Sequence, residues 1–504
     1  MKDYRKRIPR IALISVVLFF ILTLSAFAEG TMKSSDNDFN GKKARYVFFF
    51  IGDGMGICQI NSAEIYKGSI AGNEKKPAKL AMSGFPSQGL TTTYSADSFI
   101  TDSAAAATAL ACGYKTGSGV VSMDTKKKEK FKTMAEMARD KGMKVGIVSS
   151  VSIDHATPAC FYAHEASRGK YYEIACQMAE SGFDYFAGGG PKGNFSKIRK
   201  DRKDVLEIMK EKGYTVVDNK EDFEKLCPKK NPKVMAFDKY LDGSFALYYD
   251  LDRKKDSISL AEFTKKGIEL LDNDKGFFMM VEGGKIDWAC HANDAGASIK
   301  DTLAFDQAVA EALEFYKKHP EETLIVVTGD HECGGMTVGF AGTRYSTFFE
   351  KIRHQKKSYL EFNKILGEYK KEHTGENASL SDLYDEIRDS FGLIADNSKD
   401  PENQEKEMVL TDYERDQLRD AFQRSMKGDK IKSRNQHTYL LYGGYEPLTV
   451  TLTHILNNKA GIGWTSYSHT AVPVPTFAIG PGHTLFNGYY DNTDVAKKIM
   501  NIML

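Results

Sequence analysis

Long apolar runs are almost absent from this 504-residue chain. One stretch, IALISVVLFFILTL from residue 11, is strongly apolar, and no second run of that length follows. The 69 basic and 68 acidic residues nearly cancel and form no basic patch or acidic tail, which argues against nucleic-acid-specific binding. The seven cysteines are irregularly spaced and lack the CxxC pairs of a zinc ribbon, and their odd number leaves at least one unpaired.

The first 28 residues have the pattern of a secretory signal peptide. A basic segment precedes the apolar stretch, and Ala26-Phe27-Ala28 then forms a small-x-small cleavage site. The apolar stretch is short for a membrane-spanning helix. We therefore predict a signal peptide over residues 1–28, a mature chain with no transmembrane anchor, and a location in the periplasm or outside the cell.

Short apolar segments alternate with helix-like segments along most of the chain. The apolar segments are nearly continuous rather than alternating, as in strands that are buried on both faces of a parallel sheet. They are YVFFFI (46–51), KVGIVSS (144–150), FDYFAGGG (183–190), FFMMVEGG (277–284), TLIVVTG (323–329) and PTFAIG (475–480). The helix-like segments lie at 131–141, 167–180, 257–272 and 296–318. This order predicts an α/β fold with a mostly parallel central sheet sandwiched by helices.

The segment from 345 to 455 differs from the rest of the chain. It is rich in lysine and glutamate and contains few strand-like runs, as in TDYERDQLRDAFQRSMKGDK. We predict that residues 345–455 form a helical, solvent-facing insertion in an α/β domain made of residues 29–344 and 456–504.

Acidic, histidine and threonine residues follow four of the predicted strands. They are Asp53 after the first strand, Asp154, His155 and Thr157 after the second, Glu282, and the pair Asp330 and His331. Ligands of open parallel sheets bind beyond the carboxyl ends of the strands, so these side chains should converge at one edge. Carboxylates gathered there would repel each other unless a cation neutralised them. An aspartate before a glycine is also common in ordinary turns. The other acidic residues at equivalent positions after strands favour a role as a metal ligand for Asp53.

Asp287 and His291 are spaced i, i+4 and therefore share one face of a helix. A carboxylate and an imidazole placed in this way can bind one zinc ion, although the same spacing occurs in surface ion pairs. The preceding Glu-Gly-Gly and the surrounding small residues favour the zinc interpretation. His469, in TSYSHTAVPVP, is by itself equally compatible with an ordinary loop histidine.

The segment TDSAAAATALACG, at 101–113, is a strong helix former with polar groups only at its start. Thr101 and Asp102 can shape the helix N-terminus, where unpaired N–H groups and the helix dipole favour an anion. Ser103 is then either a structural cap or, beside metal ions, a nucleophile that loses its proton.

Arg168 lies at the start of a helix-like segment, and its rigid guanidinium suits bidentate capture of phosphate oxygens. The residues supply two sets of zinc-type ligands, with carboxylates and a hydroxyl left over for a harder ion. Two metal ions roughly 4 Å apart can clamp the attacking and leaving oxygens of an in-line displacement. This combination predicts metal-assisted displacement at phosphorus.

Six motifs in this order resemble the alkaline phosphatase family. They are GDGMG, TDSAAAATA, DHATPACFYAHEASR, MVEGGKIDWACHAND, TGDHECGG and SHT, and they extend over about residues 44 to 482. The resemblance implies the α/β fold of that family and a secreted, metal-dependent enzyme that acts on small phosphate monoesters. It also implies that the 345–455 segment is a crown-type insertion, which in the family often lies near a dimer interface, so that a homodimer is one implied assembly.

The resemblance implies a role for each matching residue. Ser103 would be the nucleophile that becomes a phosphoserine, and Arg168 would bind the phosphate. The ligands of a first Zn²⁺ would be Asp287, His291 and His469. Those of a second Zn²⁺ would be Asp53, Asp330 and His331, together with Ser103. Those of a third ion, usually Mg²⁺, would be Asp53, Thr157 and Glu282, with Asp53 as a bridge. In the implied mechanism Ser103 attacks phosphorus and water then hydrolyses the phosphoserine.

His155 and Trp288 depart from the enterobacterial form of the family, which has aspartate and lysine at these positions. The change removes a carboxylate near the third metal and a cation near the phosphate. A His/Trp pair at these positions is similar to some marine and cold-adapted bacterial members. We therefore expect His155 to act through water rather than as a direct ligand.

Other functions are less well supported by the sequence. A phosphodiesterase of the same superfamily usually lacks the third metal site and the arginine, whereas matching residues for both are present. A sulfatase needs a cysteine or serine in a C/S-x-P-x-R context, which Ser103 lacks. A non-catalytic metal- or phosphate-binding paralogue would have lost a ligand or the nucleophile, and none is missing.

Overall fold

The computed structural model of this chain describes residues 41–72, 76–195, 202–373, 377–395, 406–428 and 435–504. The predicted signal peptide at 1–28 lies outside these residues. Among the helices that are described, none combines the length and the apolar composition needed to cross a bilayer.

A ten-stranded sheet forms the centre of the 41–504 unit. The strands are β1 Tyr46–Gly52, β2 Ser87–Thr92, β3 Lys144–Ser152, β4 Tyr185–Gly189, β5 Thr215–Val217, β6 Val234–Phe237, β7 Phe277–Glu282, β8 Thr323–Gly329, β9 Glu332–Cys333, β10 Thr337–Val338, β11 Ile462–Gly463, β12 His469–Thr470, β13 Val474–Ile479 and β14 Gly488–Asp491. The order in the large sheet is β14-β2-β13-β8-β1-β7-β3-β4-β6-β5. Only β13 runs antiparallel to its neighbours in this sheet. The remaining short strands form the ladders β10–β11 and β9–β12.

Helices flank the sheet. They are α1 Ile57–Ile70, α2 Ser103–Cys112, α3 Met134–Asp140, α4 Ala156–Ala159, α5 Tyr171–Glu180, α6 Val205–Glu211, α7 Lys220–Glu224, α8 Leu260–Leu271, α9 Lys285–His291, α10 Ala295–Lys318, α11 Tyr359–Glu372, α12 Tyr384–Phe391, α13 Asp412–Lys427, α14 Gln436–Tyr442, α15 Pro447–Ala460 and α16 Asn492–Met503. In one group α10 packs against α1 and α8, and in another α16 packs against α2 and α3.

The central strands end at the same level of the sheet. β1 lies between β7 and β8, and Ile51 pairs with Glu282 on one side and with Thr328 on the other. Ser149 of β3 also pairs with Glu282. Because β1, β3, β7 and β8 are parallel, the residues that follow their last pairs emerge together at one edge.

The predicted α/β fold with a mostly parallel sheet is confirmed. All six predicted strands are present, although PTFAIG belongs to the antiparallel β13. The sequence did not predict β2, β5, β6 and β14. These strands are only three to six residues long, and two of them, SQGLTT and GYYD, contain few aliphatic side chains.

The described part of 345–455 contains α11 to α14 and the start of α15, which ends beyond residue 455. Buried residues of this segment, such as Phe362 and Ile387, belong to the same hydrophobic cluster as Phe48 of β1 and Ile299 of α10. The segment therefore packs into the main core through one face of its helices. Its separation as an insertion stays a prediction.

Candidate metal centre and active site

Three groups of side chains that could hold a metal ion lie near the carboxyl ends of the central strands. The first cluster consists of Asp287, His291, Cys333 and His469. The second consists of Asp53, Asp330 and His331, and the third of Asp53, His155 and Glu282. In each cluster the potential ligand atoms lie within 4.8 Å of one another. Asp53 belongs to two clusters, so the second and third cannot be separate sites.

The first cluster is formed by α9 and the short β9–β12 ladder. Asp287 and His291 share one face of α9, and His469 pairs with Cys333 across the ladder. Nδ1 of His291 lies 2.7 Å from the carbonyl oxygen of Tyr467, and Nδ1 of His469 lies 2.8 Å from that of Thr101. Because a carbonyl oxygen can only accept, each neutral imidazole carries its proton on Nδ1 and a lone pair on Nε2.

The two Nε2 atoms of His291 and His469 are 3.1 Å apart. Two lone pairs at this distance repel unless a proton or a cation lies between them. The carboxylate of Asp287 lies 3.4 Å from Nε2 of His291 and 3.5 Å from Nε2 of His469. Two imidazoles that are oriented by backbone carbonyls, with one carboxylate, are a typical ligand set for zinc.

The second cluster follows β1 and β8. Nε2 of His331 lies 3.3 Å from Oδ1 of Asp53 and 3.4 Å from Oδ2 of Asp330. The backbone N–H groups of Gly54 and His331 donate to Oδ1 of Asp330 at 3.1 and 2.9 Å, which fixes this carboxylate. The side chains of Asp53, Asp330 and His331 are fully buried.

The third cluster lies between β7, β3 and α4. The Ser149 hydroxyl donates to Oε2 of Glu282. Thr157 is buried in α4, one residue after Ala156 and two after His155. Nε2 of His155 accepts from the Arg168 guanidinium at 3.1 Å, so the neutral imidazole carries its proton on Nδ1. A protonated Nδ1 can donate to a carboxylate or to water but cannot bind a metal ion. The action of His155 through water stays a prediction.

Burial and mutual repulsion disturb the acidic side chains. Burial, with the charges of the neighbouring carboxylates, raises the pKa of Asp53 and that of Asp330 well above the ordinary range. Burial also raises the pKa of Glu282 to about 7, although the Ser149 hydroxyl acts in the opposite direction. A divalent cation would relieve this repulsion and keep the carboxylates ionised.

In the first cluster the pKa of the acidic side chain is lowered instead of raised. Burial acts to raise the pKa of Asp287, but the imidazoles of His291, His469 and His331 outweigh it and hold this pKa below its ordinary range. Burial lowers the pKa of His331 well below its ordinary value, and His469 adds to the effect. The imidazole of His331 is thus kept in the neutral form that binds metals.

Ser103 is the first residue of α2, and Asp102 is its N-cap. Oδ1 of Asp102 accepts from the backbone N–H groups of Ala105 and Gly119, both at 3.0 Å. The capping role therefore belongs to Asp102, and the Ser103 hydroxyl faces His331 with Oγ 3.3 Å from Nε2. All ten residues of α2 are buried, and most are alanine, which lets the helix pack closely beside the clusters.

Arg168 precedes α5, which begins at Tyr171, so the prediction that Arg168 begins a helix is wrong. Its backbone N–H donates to the carbonyl of Gly119 at 2.8 Å, and this contact with the 119–121 segment competes with helix formation. The guanidinium donates to Oδ2 of Asp102 at 2.9 Å and to His155. Asp102 therefore joins the arginine to the N-terminus of the serine-bearing helix.

Several buried polar atoms of these clusters have no hydrogen-bond partner among the described residues. They are both carboxylate oxygens of Asp53, Oδ1 of Asp287, Oδ2 of Asp330, Oε1 of Glu282, Oγ1 of Thr157, and Nδ1 of His155 and His331. Buried polar atoms are nearly always paired in folded proteins. Carboxylate and hydroxyl oxygens that are buried and left unpaired in one place are suited to binding metal ions.

Two residues of this region were not predicted from the sequence. Cys333 lies in the first cluster, and Ser149 holds Glu282. Cys333 is two residues from His331, so the period of a strand would have placed both side chains on one face. No sequence pattern predicts the contact between Ser149 and Glu282, because only the pairing of β3 with β7 brings the two residues together. The structure brings together all the predicted ligands, with Arg168, Trp288 and Asp102 around them.

Comparisons with known proteins agree on one family. The family model described as alkaline phosphatase matches residues 44–504. Alkaline phosphatase 3 of Bacillus subtilis is 31% identical over 516 residues, which cover 100% of this chain and 98% of the relative. A solved cold-active alkaline phosphatase from Shewanella sp. has a TM-score of 0.73 at 27% identity, covering 91% of this chain and 100% of the other. The alkaline phosphatase of Thermus thermophilus has a TM-score of 0.75 at 26% identity, with 92% of both chains covered.

Proposed function

Because this chain belongs to the alkaline phosphatase family and is a phosphomonoesterase, we propose that it works through a phosphoserine on Ser103 with two Zn²⁺ and one Mg²⁺ as cofactors. The observation that carries this proposal is the position of the Ser103 hydroxyl. It lies at the start of a buried helix, 3.3 Å from Nε2 of His331 in the second cluster. A serine whose capping role is taken by its neighbour is left available for chemistry.

Each ion would be held by residues of one cluster. Asp287, His291 and His469 would hold the first Zn²⁺, Asp53, Asp330 and His331 with Ser103 the second, and Asp53, Thr157 and Glu282 the Mg²⁺. When bound, these ions would lower the pKa of the nucleophilic hydroxyl and stabilise the charge on the oxygens of the reacting phosphate.

The protein's own residues bind and orient the phosphate. The N-terminus of α2 presents its N–H groups and the positive end of its dipole to an anion. Arg168, fixed by Asp102, supplies donors to the non-bridging oxygens. Oγ of Ser103 gives up its proton and forms a bond to phosphorus as the bond between phosphorus and the ester oxygen breaks. The ester oxygen takes up a proton and leaves as an alcohol. Water then attacks the phosphoserine, releases phosphate and restores the Ser103 hydroxyl.

Changing Arg168 to alanine should lower kcat/KM for phosphate monoesters by about 100-fold or more, and for phosphate diesters clearly less. A monoester presents more charged non-bridging oxygens to the guanidinium than a diester does. Steady-state kinetics on one monoester and one diester with the same leaving group measure the difference. Arg388→Ala, a half-exposed arginine paired with Asp385, is the matched control and should change neither rate. Equal losses on both substrates would contradict the role of Arg168.

The metal-free protein should bind Mg²⁺ at the third cluster about tenfold more weakly at pH 6 than at pH 8. Burial raises the pKa of Glu282 to about 7, and a carboxyl that gains a proton below this pH loses its capacity to bind the ion. Titration calorimetry at the two pH values measures the change. Glu282→Gln should weaken binding at both values and reduce the pH dependence, and the remainder comes from Asp53, whose pKa is also raised. An affinity in the unchanged protein that is the same at pH 6 and pH 8 would refute the assignment.

We propose further that the chain is exported by the predicted 1–28 signal peptide, to the periplasm or outside the cell, and that it forms a homodimer. The apolar stretch and the cleavage pattern in the sequence support export. The homodimer rests on the family alone.

A further inference from the structure

Lys285, the first residue of α9, is a buried cation outside the three clusters. Its side chain is 1% exposed, and Nζ lies 2.6 Å from Oδ2 of Asp242, whose side chain is 6% exposed. A buried ion pair is expensive to desolvate and can often be replaced by apolar residues without loss of stability. The position of this pair is therefore better explained by what the ammonium group contacts than by its contribution to folding.

The ammonium of Lys285 lies against two aromatic rings. Nζ is 4.0 Å from the ring centroid of Tyr249 and 4.8 Å from that of Trp288. These distances are within the range of cation–π attraction, which is strengthened when both partners are shielded from water. Lys285 and Trp288 are three residues apart on α9, so the cation holds the indole on the adjacent turn.

Trp288 in turn contacts the phosphate-binding side of the site. Its ring meets His155 edge to face, with centroids 5.8 Å apart and an interplanar angle of 79°. His155 accepts from Arg168 at 3.1 Å, and Arg168 donates to Asp102 at 2.9 Å. The contacts therefore run without a break from the buried ion pair to the guanidinium.

We propose that Lys285 is a positioning residue for Arg168, acting through Trp288 and His155. With the ammonium in place the indole has one orientation, the imidazole is held against it, and Nε2 of His155 presents its lone pair to the guanidinium. Without the ammonium the indole and the imidazole gain freedom, and the guanidinium loses one of its two fixed acceptors. The inference rests on the proposed role of Arg168 in binding phosphate.

The test compares two neutral replacements of the ion pair with the unchanged, metal-loaded enzyme. Lys285→Met with Asp242→Leu removes both charges together and leaves no lone buried charge. Lys285→Gln with Asp242→Asn keeps similar shapes, and it replaces the first variant if that one does not fold. We expect the inhibition constant of inorganic phosphate to rise about fivefold in either double variant, and Lys285→Arg, which keeps the cation, to stay within about twofold.

The same replacements made in an Arg168→Ala enzyme test whether Lys285 affects phosphate binding through Arg168. If Lys285 acts through Arg168, the neutral pair should change the inhibition constant by less than about 1.5-fold in that background. A similar rise in both backgrounds, or no rise in either, overturns the inference. Arg168→Ala alone tests the proposed function separately, because an unchanged inhibition constant in that variant would remove the role of Arg168 itself.

A spectroscopic measurement reports on the indole directly. The chain contains two tryptophans, so Trp464→Phe leaves Trp288 as the single indole. Its near-ultraviolet circular dichroism should weaken when the ion pair is neutralised, since an indole that samples several orientations gives a smaller signal. An unchanged spectrum in a folded neutral-pair variant would overturn the link between Lys285 and Trp288.

Discussion

Changing Ser103 to alanine should stop formation of the covalent phosphoenzyme and lower kcat for phosphate monoesters by at least about 10³-fold. Oγ of Ser103 is the atom proposed to bond to phosphorus, and alanine has no atom that could replace it. The fold should persist, because Asp102 caps α2 and alanine is the best helix former for the position that Ser103 occupies. The metal content should also persist, since the carboxylates and imidazoles of all three clusters remain.

Acid-quenched labelling from a radioactive monoester, with metal analysis of the same preparation, separates these effects. Ser259→Ala is the matched control, because Ser259 is a true N-cap whose hydroxyl accepts from the backbone N–H of Glu262 at 3.2 Å. That variant should lose about 1 kcal/mol of stability and keep its phosphoenzyme. A monoesterase rate that is unchanged in Ser103→Ala would remove the serine from the mechanism.

Thorough chelation should lower the monoesterase rate at least about 10³-fold, with Zn²⁺ restoring most of it and Mg²⁺ adding to the restored rate. The physical reason lies in the first cluster, where two Nε2 lone pairs meet at 3.1 Å, and in the unpaired oxygens of Asp53 and Asp330. Removal of the ions should also lower the melting temperature, because a ligand that binds only the folded state stabilises it.

His291→Ala and His437→Ala form the matched pair for this experiment. His291 belongs to the first cluster, and its loss should prevent Zn²⁺ from restoring activity. His437 is exposed on α14 and outside the three clusters, and its loss should leave restoration unchanged. Activity that survives exhaustive chelation would refute the metal assignment.

Most of the proposed active site could be predicted from the sequence because several of its proposed metal ligands stand at the ends of buried strands. Asp53, Glu282, Asp330 and His331 stand at strand ends, and parallel strands carry such residues to one edge. Asp287 and His291 could be predicted from helical spacing together with the preceding Glu-Gly-Gly and the small residues around them. His469 could not be distinguished from a loop histidine by its local sequence, because its place opposite Cys333 depends on pairing between segments more than 130 residues apart.

The residue that caps α2 could also not be predicted from the local sequence. Thr101, Asp102 and Ser103 all carry side chains that can accept from a helix N-terminus. The structure gives the cap to Asp102, which also accepts from Gly119 and from Arg168, so that the serine is left free. Arg168 was misplaced at a helix start for the related reason that its backbone is bound to a distant segment.

The sequence by itself determined the α/β class, the strand-end carboxylates and the types of donor available to metal ions. These follow from short-range patterns: the apolar runs, the glycines after them, and the period of a helix. Only the tertiary structure decided that the Nε2 atoms of His291 and His469 face each other, and that the buried cation of Lys285 lies behind Trp288. Those relations depend on the angles and distances between elements far apart in the chain, which no local pattern encodes.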